Sequence, residues 1–233
     1  MRDGEPLVDW AWIAAHLDDI ALRSLQHLWI AFIAVAVGLA ISLGLGILVL
    51  HRRSLFGPIT AVTGVLYTIP SLALFAALIP VTGLSLLTAE IALVSYTLLI
   101  LVRNIVAGLE SVSPEVLEAA EGMGYPRRSL LWRVQLPLAV PLIVAGLRLA
   151  SVSTIGLVTV AGLLGDAFGG LGVLITEGLQ TFFATKVYVG ALASIGLALL
   201  ADVAFVRLQR RLTPWARAQA LDATGRAAVV EAA

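Results

Sequence analysis

Between His27 and Leu50 the chain carries no formal charge, and between Ser54 and Ala89 it again carries none. An α-helix needs about 20 apolar residues to cross the hydrocarbon core of a bilayer. Inside that core every backbone N–H and C=O must be satisfied without water, which leaves helices or closed barrels as the structures able to span it. The length and continuity of these runs select helices. Composition agrees, with 60% of residues hydrophobic and 13% charged, against about 25% charged in soluble domains. A net charge of zero argues against nucleic acid as a partner, because its phosphates demand an excess of Lys and Arg. With no cysteine, disulfides, thiol catalysis and thiolate metal sites are excluded. The opening "MRDGEPLVDWAWIAAHLDDIALRS" lacks the basic head and unbroken apolar core of a cleavable signal peptide, so the first span is expected to direct its own insertion.

The expected fold is all-α, with five spans. They cover 27–50, a stretch near 57–79 kinked at Pro70, 88–108, a part of 138–164, and 187–206; Pro80 and Gly83 help to cut up the second uncharged run. Asp166–Lys186 is glycine-rich and interrupted by Glu177, which suits a re-entrant or surface segment better than a crossing. Five spans place Arg52, Arg53, Arg127, Arg128, Arg133, Arg207, Arg210, Arg211 and Arg217 on one side, with Arg2, Arg23 and Lys186 on the other. By the excess of positive charge on cytoplasmic loops, the N-terminus is expected outside and the C-terminus in the cytoplasm, in a multi-pass protein of the cell membrane. Residues 1–25, with Trp10 and Trp12 beside Asp18, Asp19 and Arg23, read as an amphipathic interfacial segment. Residues 26–210 form the membrane domain, 109–137 a cytoplasmic loop within it, and 211–233 a cytoplasmic tail. Small residues recur every four positions at Gly38, Ser42 and Gly46, and at Gly190, Ser194, Ala198 and Asp202, a spacing that lets membrane helices pack closely.

Within the loop, "EAAEGMGYPRRSLLWRVQLP" (118–137) is charged where its surroundings are apolar. Ser113, Pro114 and Glu115 supply an N-cap, a first-turn proline and an acidic first turn. Gly124 offers a left-handed stop, and Pro126 can open a second helix. Leu117, Ala120 and Met123 share one side of the first helix, flanked by Glu118 and Glu121. The result is a helix–turn–helix knob.

The knob resembles the loop of ABC importer permeases. That pattern is Glu-Ala-Ala, three residues, Gly, nine residues, Ile, one residue, Leu-Pro. It is matched by Glu118, Ala119, Ala120, Gly124, Leu136 and Pro137, with Val134 in the Ile position. The resemblance implies that Leu117–Met123 sits in a cleft of a separate ATPase, one of a pair that binds ATP and Mg. "TIPSLALFAALIP" (68–80), "LVRNIVAGLESV" (101–112), "AGLRLASVSTIG" (145–156) and "GGLGVLITEGL" (169–179) are similar to the osmoprotectant branch. Its members carry glycine betaine, choline or carnitine; a permease for an amino acid such as methionine is the alternative within the family. The resemblance further implies a second permease subunit, identical or paralogous, and an extracytoplasmic solute-binding protein.

The lone lysine, Lys186 in "FATKVY", cannot serve a phosphate-binding Gly-Lys-Ser/Thr loop, so ATP hydrolysis is expected in a partner chain. Tyr67, Thr68 and Ser71 around Pro70, together with Asn104, are the candidates for lining the solute route, because a proline break frees backbone carbonyls toward a cavity. The other span aromatics, Tyr96 included, are dispersed and read as packing or interface anchors. Arg148 and Asp202 should lie near the cytoplasmic side of their spans at similar depth, which leaves three outcomes open for the arginine: an ion pair with Asp202, snorkelling to water, or contact with Glu110. Other classes stay in view. Asp166 in "LLGDAFGG" and Asp202 would be the pair of an intramembrane aspartyl protease, although the expected topology puts them on opposite faces. His16, His27 and His51 lack a zinc-site spacing. A passive channel would leave the charged loop unexplained.

Overall fold

The computed structural model describes residues 7–214, so Arg2, Arg217 and the remainder of both termini lie outside the described residues. All regular structure among the described residues is helical. A short α1 (Trp10–Ala15) is capped by Asp9, whose carboxylate accepts the Trp12 amide at 3.0 Å. Next comes α2 (Leu17–His51), 35 residues without a proline. The interfacial segment expected over 1–25 is therefore not one unit. Leu17–Ser24 continues straight into the first span, helped by Asp18 and Asp19 at the positive end of the helix dipole.

The second uncharged run breaks far more sharply than a kink. Helices α3 (Phe56–Thr68) and α4 (Ser71–Thr82) meet at 96°. Pro70 offers no N–H and forces the residue before it out of the helical region; Ile69 is accordingly extended, at φ −64°, ψ 128°. Helix α4 runs through Pro80 and stops at Gly83, whose φ is +74°. Three more long elements follow. α5 (Leu86–Glu110) comes first; α7 (Arg127–Leu130) then runs through a π-helical turn, Leu131–Gln135, into α8 (Leu136–Gly162), and α10 (Ala184–Leu212) closes the bundle. Between α5 and α7 lies α6 (Pro114–Gly122), and between α8 and α10 lies α9 (Gly172–Gln180). Four continuous helices are long and apolar enough to cross a membrane, and the bent α3–α4 pair makes a fifth if it counts as one span. With nine residues, α9 extends about 14 Å, roughly half the hydrocarbon thickness.

α5 is the centre of the bundle, packed chiefly on α8 and α2. Ala89, Ala92, Leu93, Leu101, Val102 and Ile105 of α5 are wholly buried. The small-residue stripe of α2 faces this helix: a β-carbon on Gly46 would come within 2.5 Å of the Ile105 side chain, and one on Gly38 would overlap the Thr97 hydroxyl. Gly190 of α10 likewise lies against the Leu171 carbonyl, where a β-carbon would sit at 2.8 Å. Gly38, Ser42 and Gly46 of the first stripe and Gly190 and Ser194 of the second are buried in packing contacts.

Apart from the Arg148–Asp202 pair, the ion pairs among the described residues lie at the two ends. At one end Arg53 pairs with Glu110 and stacks over Phe56 at 4.8 Å. At the other, Arg23 reaches Asp19, Asp166 and Glu177 at 3.2–3.3 Å, and Lys186 reaches Glu177 at 2.7 Å. The segment between α8 and α9 is fastened there by two neighbours in α2. Fully buried His27 donates from Nε2 to the Ile155 carbonyl (2.9 Å) and accepts the Leu171 amide at Nδ1 (3.2 Å), which fixes its tautomer. Gln26 accepts the Gly170 amide at 3.2 Å.

Candidate coupling loop and translocation cavity

Pro114 occupies the first turn of α6, with Ser113 at the N-cap position; the Ser113 side chain makes no capping bond to the helix backbone. The Glu115 carboxyl is held below its ordinary value by its own backbone amide and by the Ser113 hydroxyl. At the other end, Gly124 donates to the Glu121 carbonyl at 2.9 Å and Tyr125 to the Ala120 carbonyl at 3.2 Å, with Gly124 at φ +86°. These two bonds close a Schellman motif. No heavy atom lies within 4 Å of where a Gly124 β-carbon would stand, so glycine is required there by backbone conformation alone.

The expected apolar side of α6 divides. Ala120 is buried and Leu117 half-buried, turned toward the permease body, whereas Glu118, Ala119, Glu121 and Met123 are exposed, Met123 at 72%. Leu117 and Glu121 line an 810 Å³ groove together with Leu50 and His51 of α2 and with Arg128 and Trp132. Leu136 and Pro137 lie outside the knob, at the start of α8. Their role is legible in the backbone. Pro137 cannot donate to the Arg133 carbonyl and its ring crowds it, and the ladder widens just before it, with the Leu136 amide reaching back to Leu131. Such a π turn is how a helix absorbs one misfit residue. It keeps α7 and α8 in one rod, Arg128–Gly162.

The break in the second span opens a second feature. A cavity of about 420 Å³ is lined by Tyr67, Thr68, Pro70 and Ser71, and on its far walls by Tyr96, Thr97, Ser153 and Thr154. Asn104, the remaining candidate for the solute route, is not among the lining residues: its amide donates to the Ile100 carbonyl of its own helix at 2.8 Å, and its β-carbon fills the space over Gly146. Tyr96, read from sequence as packing, does reach the cavity. Its ring meets that of Tyr67 edge-on with centroids 5.8 Å apart, and its hydroxyl donates to the Ile69 carbonyl. Sequence spacing alone could not pair two tyrosines on different helices.

Arg148 and Asp202 form a two-pronged ion pair, with Nε–Oδ1 2.5 Å and the second nitrogen to Oδ2 2.9 Å. Glu110 is instead engaged by Arg53. Asp166 is held by Arg23 near the end where α10 begins, and Asp202 is engaged by Arg148 eighteen residues along α10, about 27 Å by helical rise, so the two carboxylates cannot share a proton. Among the described residues no group of His, Asp or Glu is placed to hold a metal. His27 and Gln26, which sequence reading passed over as functional, tie down the Gly169–Gly170 turn; the signal available was a polar His-Gln pair facing an apolar span.

Residues 34–214 match the family described as "Binding-protein-dependent transport system inner membrane component". The chain belongs to this family. The permease is 36% identical over 196 residues to the carnitine transport permease protein OpuCB of Listeria monocytogenes, covering 84% of this chain and 89% of the relative. To the osmoprotectant import permease protein OsmW of Salmonella typhimurium it is 38% identical over 202 residues (84% and 92%). The choline transport system permease protein OpuBB of Bacillus subtilis is 32% identical over 196 residues (84% and 89%). In fold the permease is similar to a chain of the inward-facing MetNI methionine ABC transporter, at TM-score 0.72 and 22% identity, over 83% of this chain and 96% of that one. It is thus the multi-pass inner-membrane subunit of an ABC importer. It is a transport subunit without ATPase activity of its own, and it works with a partner ATPase.

Proposed function

We propose that the permease imports a compatible solute such as glycine betaine, choline or carnitine. The observation that carries this reading is the identity of 32–38% to relatives named for carnitine, osmoprotectant and choline transport, over 84% of the chain. An extracytoplasmic binding protein delivers the solute, and a second permease subunit, identical or paralogous, completes the route. The N-terminus lies outside and the arginine-rich end in the cytoplasm, as the charge distribution favours. There α6 enters a cleft of the ATPase through Glu118, Ala119, Glu121 and Met123, which are exposed on the knob. Leu117, Ala120, Gly124, Leu136 and Pro137 set its seat, hinge and attachment. Tyr67, Thr68, Pro70 and Ser71 line the route.

The decisive experiment is ATP-dependent uptake by the full complex in proteoliposomes, with labelled glycine betaine, choline, carnitine and methionine. Accumulation of one or more quaternary ammonium solutes is expected. Uptake of methionine alone would transfer the permease to the amino-acid branch.

A further inference from the structure

The cavity at the Ile69–Pro70 break has the size and chemistry of a ligand site. Its volume of about 420 Å³ lies within the roughly 300–1,000 Å³ of small-molecule pockets. No Asp, Glu, Lys, Arg or His lines it. Its polarity comes instead from two tyrosines and from Thr68, Ser71, Thr97, Ser153 and Thr154. Tyr67 is 42% exposed while Tyr96 is 6% exposed. The two rings meet at an interplanar angle of 70°, and the Tyr96 hydroxyl, donating to Ile69, holds the broken chain in place.

The break adds a second element. Thr68, the last residue of α3, lines the cavity, bringing there the carboxyl end of that helix and its partial negative charge. Four residues before Pro70, the Leu66 carbonyl has lost its helical donor. Ser71, the first residue of α4, brings the positive end of another helix dipole to the same space. Such an environment offers an aromatic face and carbonyls to a cation and a helix start to a carboxylate, with no fixed charge to hold either tightly.

We propose that this cavity is a quaternary-ammonium binding station within the permease itself, the open face of the Tyr67 ring being its cation surface and Tyr96 its positioning residue. The proposal rests on the solute class argued above. A quaternary ammonium has no N–H groups to satisfy, so an aromatic face and weak dipoles suffice for it. A primary ammonium must give up three strong hydrogen bonds to water for weaker ones to hydroxyls and a helix end, whereas a quaternary one gives up none. The uncharged lining admits both a cation such as choline and a zwitterion such as betaine, and it lets them leave.

The test uses the permease–ATPase complex in nanodiscs without any binding protein, titrated calorimetrically with tetramethylammonium, choline and methylammonium. Saturable binding of tetramethylammonium and choline is expected, with methylammonium at least about tenfold weaker. Tyr67→Leu should weaken choline binding about 3- to 30-fold, and Tyr67→Phe, which keeps the ring face, by no more than about threefold. Tyr96→Phe removes the hold on Ile69 and should weaken choline while preserving the preference for tetramethylammonium over methylammonium. Size-exclusion of each variant with the ATPase reports assembly. Should Tyr67→Leu not assemble, the comparison of the two ammonium ions in the unaltered complex decides. Absence of saturable binding, equal affinity for the two ions, or a Tyr67→Leu complex that binds as the unaltered one does would overturn the proposal. If the unaltered complex then still imports betaine or choline with its binding protein, the transport reading stands and the station alone is lost.

Discussion

The two ends of the bundle are held by different means. At the Arg23 end the connection between α8 and α9 is fastened by side chains: His27 and Gln26 bond its backbone, and Arg23 joins Asp19, Asp166 and Glu177. The glycines that flank it are crowded. A β-carbon on Gly172 would overlap the Thr159 carbonyl, and one on Gly162 would lie 2.8 Å from the Gly172 α-carbon. At the arginine-rich end, α6 closes on a Schellman turn whose glycine faces open space. One end is built to stay put. At the other, the turn that ends α6 is shaped by backbone conformation, and the outer face of α6 is exposed.

Substitutions can break this contrast, and their expected effects on the fold descend in order. Gly172→Val drives a branched side chain into the α8 backbone, an overpacking that should exceed about 3 kcal/mol; fluorescence-detected size exclusion should recover little folded permease. His27→Leu orphans the buried Leu171 amide, at about 1–3 kcal/mol, and takes one donor from the Ile155 carbonyl, which keeps its bond from Thr159; it should lower the thermal midpoint clearly, with His27→Gln recovering part of the loss. A midpoint unchanged in His27→Leu would mean that the segment is held by something else. Gly124→Val forces a β-carbon into the left-handed region, about 1–2 kcal/mol confined to the turn. The spans should insert and the midpoint stay near that of the unaltered permease, yet ATP-coupled uptake should be lost. Wild-type uptake with normal ATPase association would remove the coupling role from this loop.

Glu118→Lys, on the exposed face, should change stability by less than about 0.5 kcal/mol and weaken ATPase association measured by pull-down, with uptake reduced less than by Gly124→Val. The smallest effect concerns Glu115. Its carboxyl titrates below the ordinary 4.5 because its own amide and the Ser113 hydroxyl favour the charged form. Its support for α6 is therefore complete above pH 4.5 and fades as pH falls through the lower, folded value. Amide exchange in the first turn of α6 should accelerate only in that acidic range, and in Glu115→Gln this step should vanish.

Much of this architecture is legible in the sequence because its determinants are local. Uncharged runs mark the spans, Pro114 and Gly124 bracket α6, and a fixed helical rise puts Arg148 and Asp202 at one depth. The 96° break is different. Pro70 announces that a helix ends, but the direction of the chain beyond it is fixed by packing, including the bond from Tyr96 to Ile69, 27 positions away. The same holds for Gly169 and Gly170, whose neighbours Gln26 and His27 lie more than a hundred residues earlier. Periodicity likewise puts Leu117, Ala120 and Met123 on one side of α6, but which of them turns inward depends on the groove beneath, formed partly by the end of α2.

The unbroken rod from Arg128 to Gly162 has a mechanical corollary. At about 1.5 Å per residue it is some 50 Å long, and at its Gly162 end it is in backbone contact with the crowded start of α9. With the loop in its proposed coupling role, a lever with its fulcrum there would be driven from the Arg128 end, 34 residues away, and would move the cavity wall at Ser153, nine residues from the pivot. The arms stand at nearly four to one, about 51 Å against 14 Å by helical rise. A push of about 4 Å at the loop would therefore shift the wall by about 1 Å, so such a linkage would gear a long stroke down to a short one and multiply force at the proposed solute station.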